Sequence, residues 1–305
     1  PRTDGFITAF PEGSLKRRPC PARTLADTTN TLRADAKEIV ATDTMFSGFH
    51  VAPMAQLYVD YGSRLIDILP MKRRTEFSHT LDQFCCKWWT PTALLNDGAA
   101  EGQSIETTAN CLQRNINQIF RTPGQTSIAP QNFSEPAIGH ITRKATWAMV
   151  FSGATIRYWI WAVKAACFVD SITAHWYSDL NEFSTPYRRI YGQPFPDSNV
   201  VKPLFCAALI LLHDPAKFKI RTTKMVFMSY AINYPTYTYG FLNCQTGRIT
   251  HSQDAIFLVD EFPFRDARQR LGSSPAGDPL KTRIMERSPL STLAPADLCF
   301  GWSSD

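Results

Sequence analysis

A series of short runs rich in apolar and β-branched residues limits the possible folds more than any other feature of this chain. The early runs are 38–43, 56–60, 65–69 and 92–95. An amphipathic helix, expected over 75–87, precedes the fourth run, and Tyr61-Gly62-Ser63-Arg64 predicts a β-hairpin between the second and third. Strands in this order around a helix are typical of a mixed sheet with helices packed on it.

Three carboxylates stand where these elements are expected to end or begin. The first run ends at Asp43, and Asp97 with Gly98 follows the fourth. A later helix is expected to open near Glu135-Pro136, because proline is well tolerated at the first helical position. An Asp-Gly pair after an apolar run is most often an ordinary turn. However, phosphoryl transfer with two divalent cations about 3.5–4 Å apart requires this kind of inventory, hard oxygen ligands on rigid elements.

The composition narrows the classes of protein. A chain of 305 residues with a formal net charge of +5 is long enough for one large domain or two smaller ones, and it permits a polyanionic partner. The eight cysteines include no C-x-x-C pair and have no metal-ligand spacing with the six histidines, so we expect neither a disulfide framework nor zinc. We expect no signal peptide, and we interpret the apolar window 147–169 as a core helix rather than a membrane span, because it contains Arg157 and Lys164.

Basic residues that could contact DNA phosphates cluster in two folded regions. Arg143 and Lys144 fall on the helix expected after Glu135. The others lie among the β-prone runs of the last third: Lys217, Lys219, Arg221 and Lys224. Phosphate contacts are independent of base sequence and sensitive to salt, and a solvated surface is the alternative interpretation of both clusters.

Motifs of the second half resemble the integrase region of copia-type LTR retrotransposon Pol polyproteins. In chain order, with the family's pattern in parentheses, the first are Trp159-Ile160-Trp161-Ala162 (the Trp-x-x-Ala helix) and Thr185-Pro186-Tyr187 with Gly192-Gln193-Pro194 (T-P-Y…G-x-x-P-D). They are followed by Leu204-Phe205-Cys206 (F-G-C), Met225 to Tyr230 (the F-x-G-Y strand), and Gly240 to Phe257 with Asp260-Glu261 after it. The first half matches through Thr42-Asp43, the hairpin Tyr58 to Arg64, Asn96-Asp97-Gly98 (S-D-N-G-G-E) and Pro130 to Glu135 (P-Q-x-N-G-x-A-E).

The resemblance implies a ribonuclease H-like α/β core, a mixed sheet with flanking helices, followed by a small all-β (SH3-like) domain. It implies Asp43, Asp97 and Glu135 as catalytic residues and ligands of Mg²⁺ or Mn²⁺, with 3′-end processing and strand transfer of element DNA as the reaction. DNA and further copies of the chain are the implied partners, no membrane is implied, and the nucleus is the implied location. Asp60 stays outside this set, because we expect it to stabilise the hairpin turn.

The predicted organisation has five segments. They are a flexible basic linker (1–36), the integrase catalytic core (37–176), a connector (177–199), the small β-barrel (200–262) and a disordered tail (263–305). The family's N-terminal zinc module is missing, which indicates a fragment of a longer polyprotein or a decayed or domesticated copy.

Two departures from the family pattern affect the expected site. Glu135 comes one position early, directly before Pro136, so we expect it at the helix edge rather than in the first turn. Ser229 replaces the glycine of the F-x-G-Y strand. Three functions stay open: an active polynucleotidyl transferase, a nuclease of the same fold, and a catalytically inactive nucleic-acid-binding or assembly protein that retains the fold.

Overall fold

The computed structural model describes residues 35–47, 53–96, 102–120, 134–177, 180–211, 222–230 and 238–267. The predicted residues outside these ranges are Asp97, Lys217, Lys219 and Arg221, together with most of the linker (1–34) and of the tail (268–305).

A mixed sheet of five strands forms the first half of the described chain. The strands are β1 (Ile39–Phe46), β2 (Met54–Asp60), β3 (Ile66–Met71), β4 (Ala93–Asn96) and β5 (Asn117–Phe120). Their order is β3-β2-β1-β4-β5, with β1 antiparallel to β2 and parallel to β4. This is the strand order of a ribonuclease H-like sheet.

Two strands continue beyond the residues at which the sequence predicted their ends. β1 passes Asp43, which pairs with Leu57, and continues to Phe46, because its pairing with β2 does not stop at the carboxylate. β3 includes Pro70, which is tolerated because β3 is an edge strand and pairs with β2 alone.

Helices cover both faces of this sheet. They are α1 (Phe77–Lys87), α2 (Ile105–Gln113), α3 (Ser134–Ser152) and α4 (Trp159–Ser171). On one face, α1 buries Phe77, Leu81 and Phe84 at helical spacing against Tyr58 of β2, as the amphipathic pattern predicted. On the other face, α3 and α4 pack on β1, β2 and β3.

A hairpin and a short helix follow α4. The hairpin pairs β6 (His175–Tyr177) with β7 (Glu182–Ser184), and the helix is α5 (Pro186–Tyr191). The Thr185 side chain caps α5 by accepting a hydrogen bond from the Arg188 amide, and Gly192 ends it with φ +74°. The T-P-Y…G motif is therefore a helix with its own start and stop signals.

The last part of the described chain is an antiparallel sheet. Its strands are β8 (Ala207–Leu211), β9 (Thr222–Tyr230), β10 (Tyr239–Leu242), β11 (Ile249–Ser252) and β12 (Ala255–Leu258), in the order β11-β10-β9-β8-β12. The fold class predicted from the sequence, a ribonuclease H-like mixed sheet with flanking helices followed by a small all-β module, is confirmed.

α4 also packs against this second sheet. Phe168 stacks on Tyr230 with ring centroids 4.2 Å apart. Residues 263–267, which the sequence analysis placed in the disordered tail, form a helical turn, and Phe264 stacks on Tyr158 at 4.8 Å. None of the helices in the described part of the chain is long and apolar enough to cross a membrane.

A close approach between β9 and β10 yields a first prediction. An ideal Cβ at Gly240 would lie 2.3 Å from the Oγ of Ser229, its buried partner in the ladder. Gly240→Ala should therefore lower the free energy of unfolding by about 1–3 kcal/mol, measured by urea denaturation, because the buried hydroxyl must move.

Adding Ser229→Ala should recover most of this loss, because it removes the crowded oxygen. Gly139→Ala is the control: a Cβ there meets nothing within 4 Å, and alanine in a helix should add about 0.5–1 kcal/mol. An equal loss with and without Ser229→Ala would contradict the assignment.

Candidate active site

Asp43 lies on the sheet face that α3 and α4 cover. Directly paired residues of antiparallel strands project to the same face, and Asp43 pairs with Leu57. Leu57 and Met45, the next residue on this face of β1, are both buried in one cluster with Ala137 of α3. Asp43 itself is half-buried, and its Oδ1 accepts a hydrogen bond of 2.7 Å from the Thr44 amide.

Glu135 lies in the first turn of α3 and is exposed. The expectation that it would sit at the helix edge is wrong, because the helix begins one residue earlier, at the buried Ser134. Pro136 fits here, since amide groups of the first turn need no partner within the helix. α3 contacts β1, and Ala137 belongs to the same buried cluster as Met45, so α3 covers the sheet face to which Asp43 belongs.

β4 leads to the third predicted carboxylate. Asn96, its last residue, is buried and accepts a hydrogen bond of 3.0 Å from Thr42 Oγ1, so the residue before Asp43 contacts the residue before Asp97. Asp97 itself lies outside the described residues. Within the described ranges, no group of three or more His, Cys, Asp or Glu side chains is placed to hold a metal ion. The structure thus places α3, the helix whose first turn contains Glu135, over the sheet face that carries Asp43, and it does not test Asp97.

Asp60 has the structural role expected from the sequence. Its carboxylate accepts hydrogen bonds from the amides of Lys37 (2.9 Å) and Ser63 (2.7 Å) and from the Ser63 hydroxyl (2.6 Å). Burial raises the pKa of Asp60, and these hydrogen bonds from Ser63 and Lys37 oppose the shift. A carboxylate with this many donors holds the β2–β3 turn together.

The predicted DNA-contacting residues on described elements have different surroundings. Arg143 is exposed on α3, whereas the adjacent Lys144 donates a hydrogen bond of 2.6 Å to the buried carboxylate of Asp170. Lys224 of β9 is exposed and forms an ion pair with Glu261. Their contacts with DNA stay predictions.

The sequence analysis missed the cluster around Asp170. This carboxylate is buried near the end of α4 and contacts His140, Lys144 and His175. Two signals could have indicated it: a lone carboxylate in an apolar helix needs a cation, and His140 and Lys144 have the i, i+4 spacing that places both on one side of a helix.

Comparisons with known proteins give similarity at the level of structure. No family model and no curated protein matches the chain. Solved structures similar to it include the simian T-cell lymphotropic virus intasome in complex with the PP2A regulatory subunit B56 gamma, at 12% identity and a TM-score of 0.45, covering 72% of this chain and 78% of that chain. The HTLV-2 integrase catalytic core domain in complex with magnesium, in its dimeric form, has 13% identity and a TM-score of 0.40, and the match covers 51% of this chain and 97% of that chain.

The contrast between Asp60 and Asp43 yields a second prediction. Asp60→Ala should lower the free energy of unfolding by about 2–4 kcal/mol, because it leaves buried donors without an acceptor. Asp43→Ala, on the neighbouring strand, should cost clearly less, since Asp43 is half-buried. Urea denaturation of both variants measures the difference, and equal losses would mean that Asp43 is as structural as Asp60.

Proposed function

We propose that this chain is an integrase-type polynucleotidyl transferase of the copia-type retrotransposon class, which joins element DNA to target DNA. Asp43, Asp97 and Glu135 are the proposed catalytic residues, with Mg²⁺ or Mn²⁺ as cofactor. The observation that supports this most is the packing of α3, the helix that contains Glu135, over the sheet face that carries Asp43.

The donor set suits a divalent cation. Carboxylate oxygens are hard ligands of the kind that Mg²⁺ prefers, and Asp43 and Glu135 are both accessible to solvent. Asp97 follows Asn96 directly in the sequence, and the Asn96 side chain accepts a hydrogen bond from Thr42, the residue before Asp43. When bound, divalent cations supply activation of the attacking hydroxyl or water and stabilisation of the leaving oxygen.

The chain's own contribution is rigid placement of these carboxylates. Asp43 lies within β1 and pairs with Leu57 of β2, and the Thr44 amide donates a hydrogen bond to one of its carboxylate oxygens. Glu135 is carried by a helix of 19 residues that packs against two strands of the sheet. Sites built on paired strands and packed helices hold their geometry better than sites on loops.

DNA is the proposed partner, through the polyanionic backbone. Arg143 is on the helix that carries Glu135, about 12 Å further along its axis. We propose that it contacts a phosphate of DNA bound at the carboxylates. Lys144 and Lys224, each with an acidic partner in the structure, complete the described set, and Lys217, Lys219 and Arg221 belong to the same proposal. Assembly of several copies on paired DNA ends and action in the nucleus are parts of it.

Strand transfer of a labelled DNA oligonucleotide in Mg²⁺ or Mn²⁺ tests the proposal. Asp43→Asn, Asp97→Asn and Glu135→Gln should each lower the joined product by about 100-fold or more, because each removes a charge that a cation requires. Asp254→Asn, at an exposed turn, is the matched control and should leave the product unchanged.

The other outcomes identify the alternatives. No product from the unaltered chain, with salt-sensitive DNA binding intact, would indicate an inactive binding or assembly protein. Cleavage without joining would indicate a nuclease.

DNA binding itself yields a further prediction. Arg143→Ala should weaken binding by a similar factor for unrelated DNA sequences and reduce the slope of log affinity against log salt by about 1, because it removes one phosphate contact. Lys72→Ala, an exposed position between β3 and α1, is the control. Fluorescence anisotropy over a salt series measures both, and an unchanged slope for Arg143→Ala would exclude that contact.

A further inference from the structure

Asp170 is a buried carboxylate that joins three separate elements. It lies in the last turn of α4, and its side chain is 2% exposed. Lys144 Nζ and His140 Nε2, both from α3, lie 2.6 and 2.9 Å from Oδ1. His175 Nε2, from β6, lies 3.4 Å from Oδ2 and 3.3 Å from the backbone oxygen of Asp170. A charge this deeply buried is strongly unfavourable without such partners.

α3 also packs through side chains that carry no charge. Its buried residues are Ser134, Ala137, Ile141, Ala145 and Ser152, and Ile138 and Met149 pack against the same cluster. Apolar contacts are not directional, whereas the ion pair between Lys144 and Asp170 has defined partners, and a shift of α3 would separate them.

We propose that Asp170 is a positioning residue, which forms with His140, Lys144 and His175 a pH-sensitive clasp that fixes α3, and with it Glu135, against α4 and β6. His140 and Glu135 lie on the same helix, about 7.5 Å apart along its axis, so movement of α3 at the clasp displaces the carboxylate. The effect on Glu135 rests on the proposed function, whereas the clasp itself does not.

The pKa shifts determine the direction of the pH dependence. The hydrogen bond to Asp170 raises the pKa of His175, against the effect of burial. Burial alone would raise the pKa of Asp170, but hydrogen bonds from His175 and Lys144 hold it well below its ordinary value. The stability that His175 contributes to the folded state is fully present below its unfolded pKa of about 6.5, and it is lost as pH rises through the folded pKa. The stability that Asp170 contributes is present above its unfolded pKa of about 3.9, and it is lost as pH falls through the folded pKa. The clasp is therefore strongest between about pH 4 and pH 6.5.

The surrounding charges define which side of the clasp loosens. His140 and Lys144 face Asp170 from α3. The next charges are Lys164 on α4 and the ion pair of Asp67 (β3) with Lys87 (α1), all of which act on the buried Cys167 thiol, one turn before Asp170. Rising pH should thus release the β6 side first, while Lys144 retains α3.

Hydrogen exchange measured by mass spectrometry tests the clasp without requiring any enzymatic activity. Protection factors, which correct for the intrinsic pH dependence of exchange, are compared at pH 6 and pH 8.5. His175→Gln should lower the protection of residues 173–177 about tenfold at pH 6, because the charged hydrogen bond to Asp170 is lost, and should have little effect at pH 8.5. His79→Gln, an exposed histidine on α1, is the matched control and should change neither value.

Asp170→Asn tests the α3 side. It should lower the protection of residues 134–144 about tenfold or more at both pH values, because Lys144 and His140 lose their charged partner. If this variant fails to fold, Lys144→Met removes the α3 ion pair alone and is measured on the same peptide. Unchanged protection of α3, or a His175→Gln effect that is the same at both pH values, would overturn the proposal.

Strand transfer supplies the functional half of the test. Asp170→Asn should lower the joined product while DNA binding is retained, because the α3 side of the clasp positions Glu135. Normal strand transfer by Asp170→Asn would show that the clasp does not position Glu135. If the unaltered chain transfers no DNA, the proposed function fails while the exchange experiment still decides whether the clasp exists.

Discussion

The central strand β1 pairs with β2 on one edge and with β4 on the other, and helices cover both of its faces. The parallel neighbour requires a crossover, and α1 forms it on one face, while α3 closes the other. Val40 and Ala41 are completely buried as a result. The same strand carries Asp43 onto the α3 face, so the candidate site exists only because β1 is held in the middle of the sheet.

α4 connects the parts of the described structure. It is apolar on nearly all sides, and a helix of this kind must be covered by several neighbours. It packs against α3, β3 and β9, and Phe168 reaches Tyr230 of the second sheet. The chain after α4 returns to the first hairpin, where the Tyr177 hydroxyl donates a hydrogen bond to the Ser63 backbone oxygen.

Aspartates with different surroundings have different roles in this fold. Asp60 is saturated by backbone and hydroxyl donors, and Asp67 by Lys87 and Trp88. Asp170 is neutralised by cations from two other elements. A buried carboxylate with a complete set of donors stabilises structure, whereas the half-buried Asp43 is accessible to solvent.

The sequence by itself determined the features that depend on near neighbours: the strands of the first sheet, the amphipathic α1 and the hairpin turn at Asp60. Periodicity and turn chemistry act over a few residues, so they can be recognised from the chain alone. The tertiary structure alone decided that β1 continues beyond Asp43, because its partner strand provides the hydrogen bonds. It also decided that His140, Lys144 and His175 meet at Asp170, because this contact depends on how α3, α4 and β6 pack, and no local pattern encodes that packing.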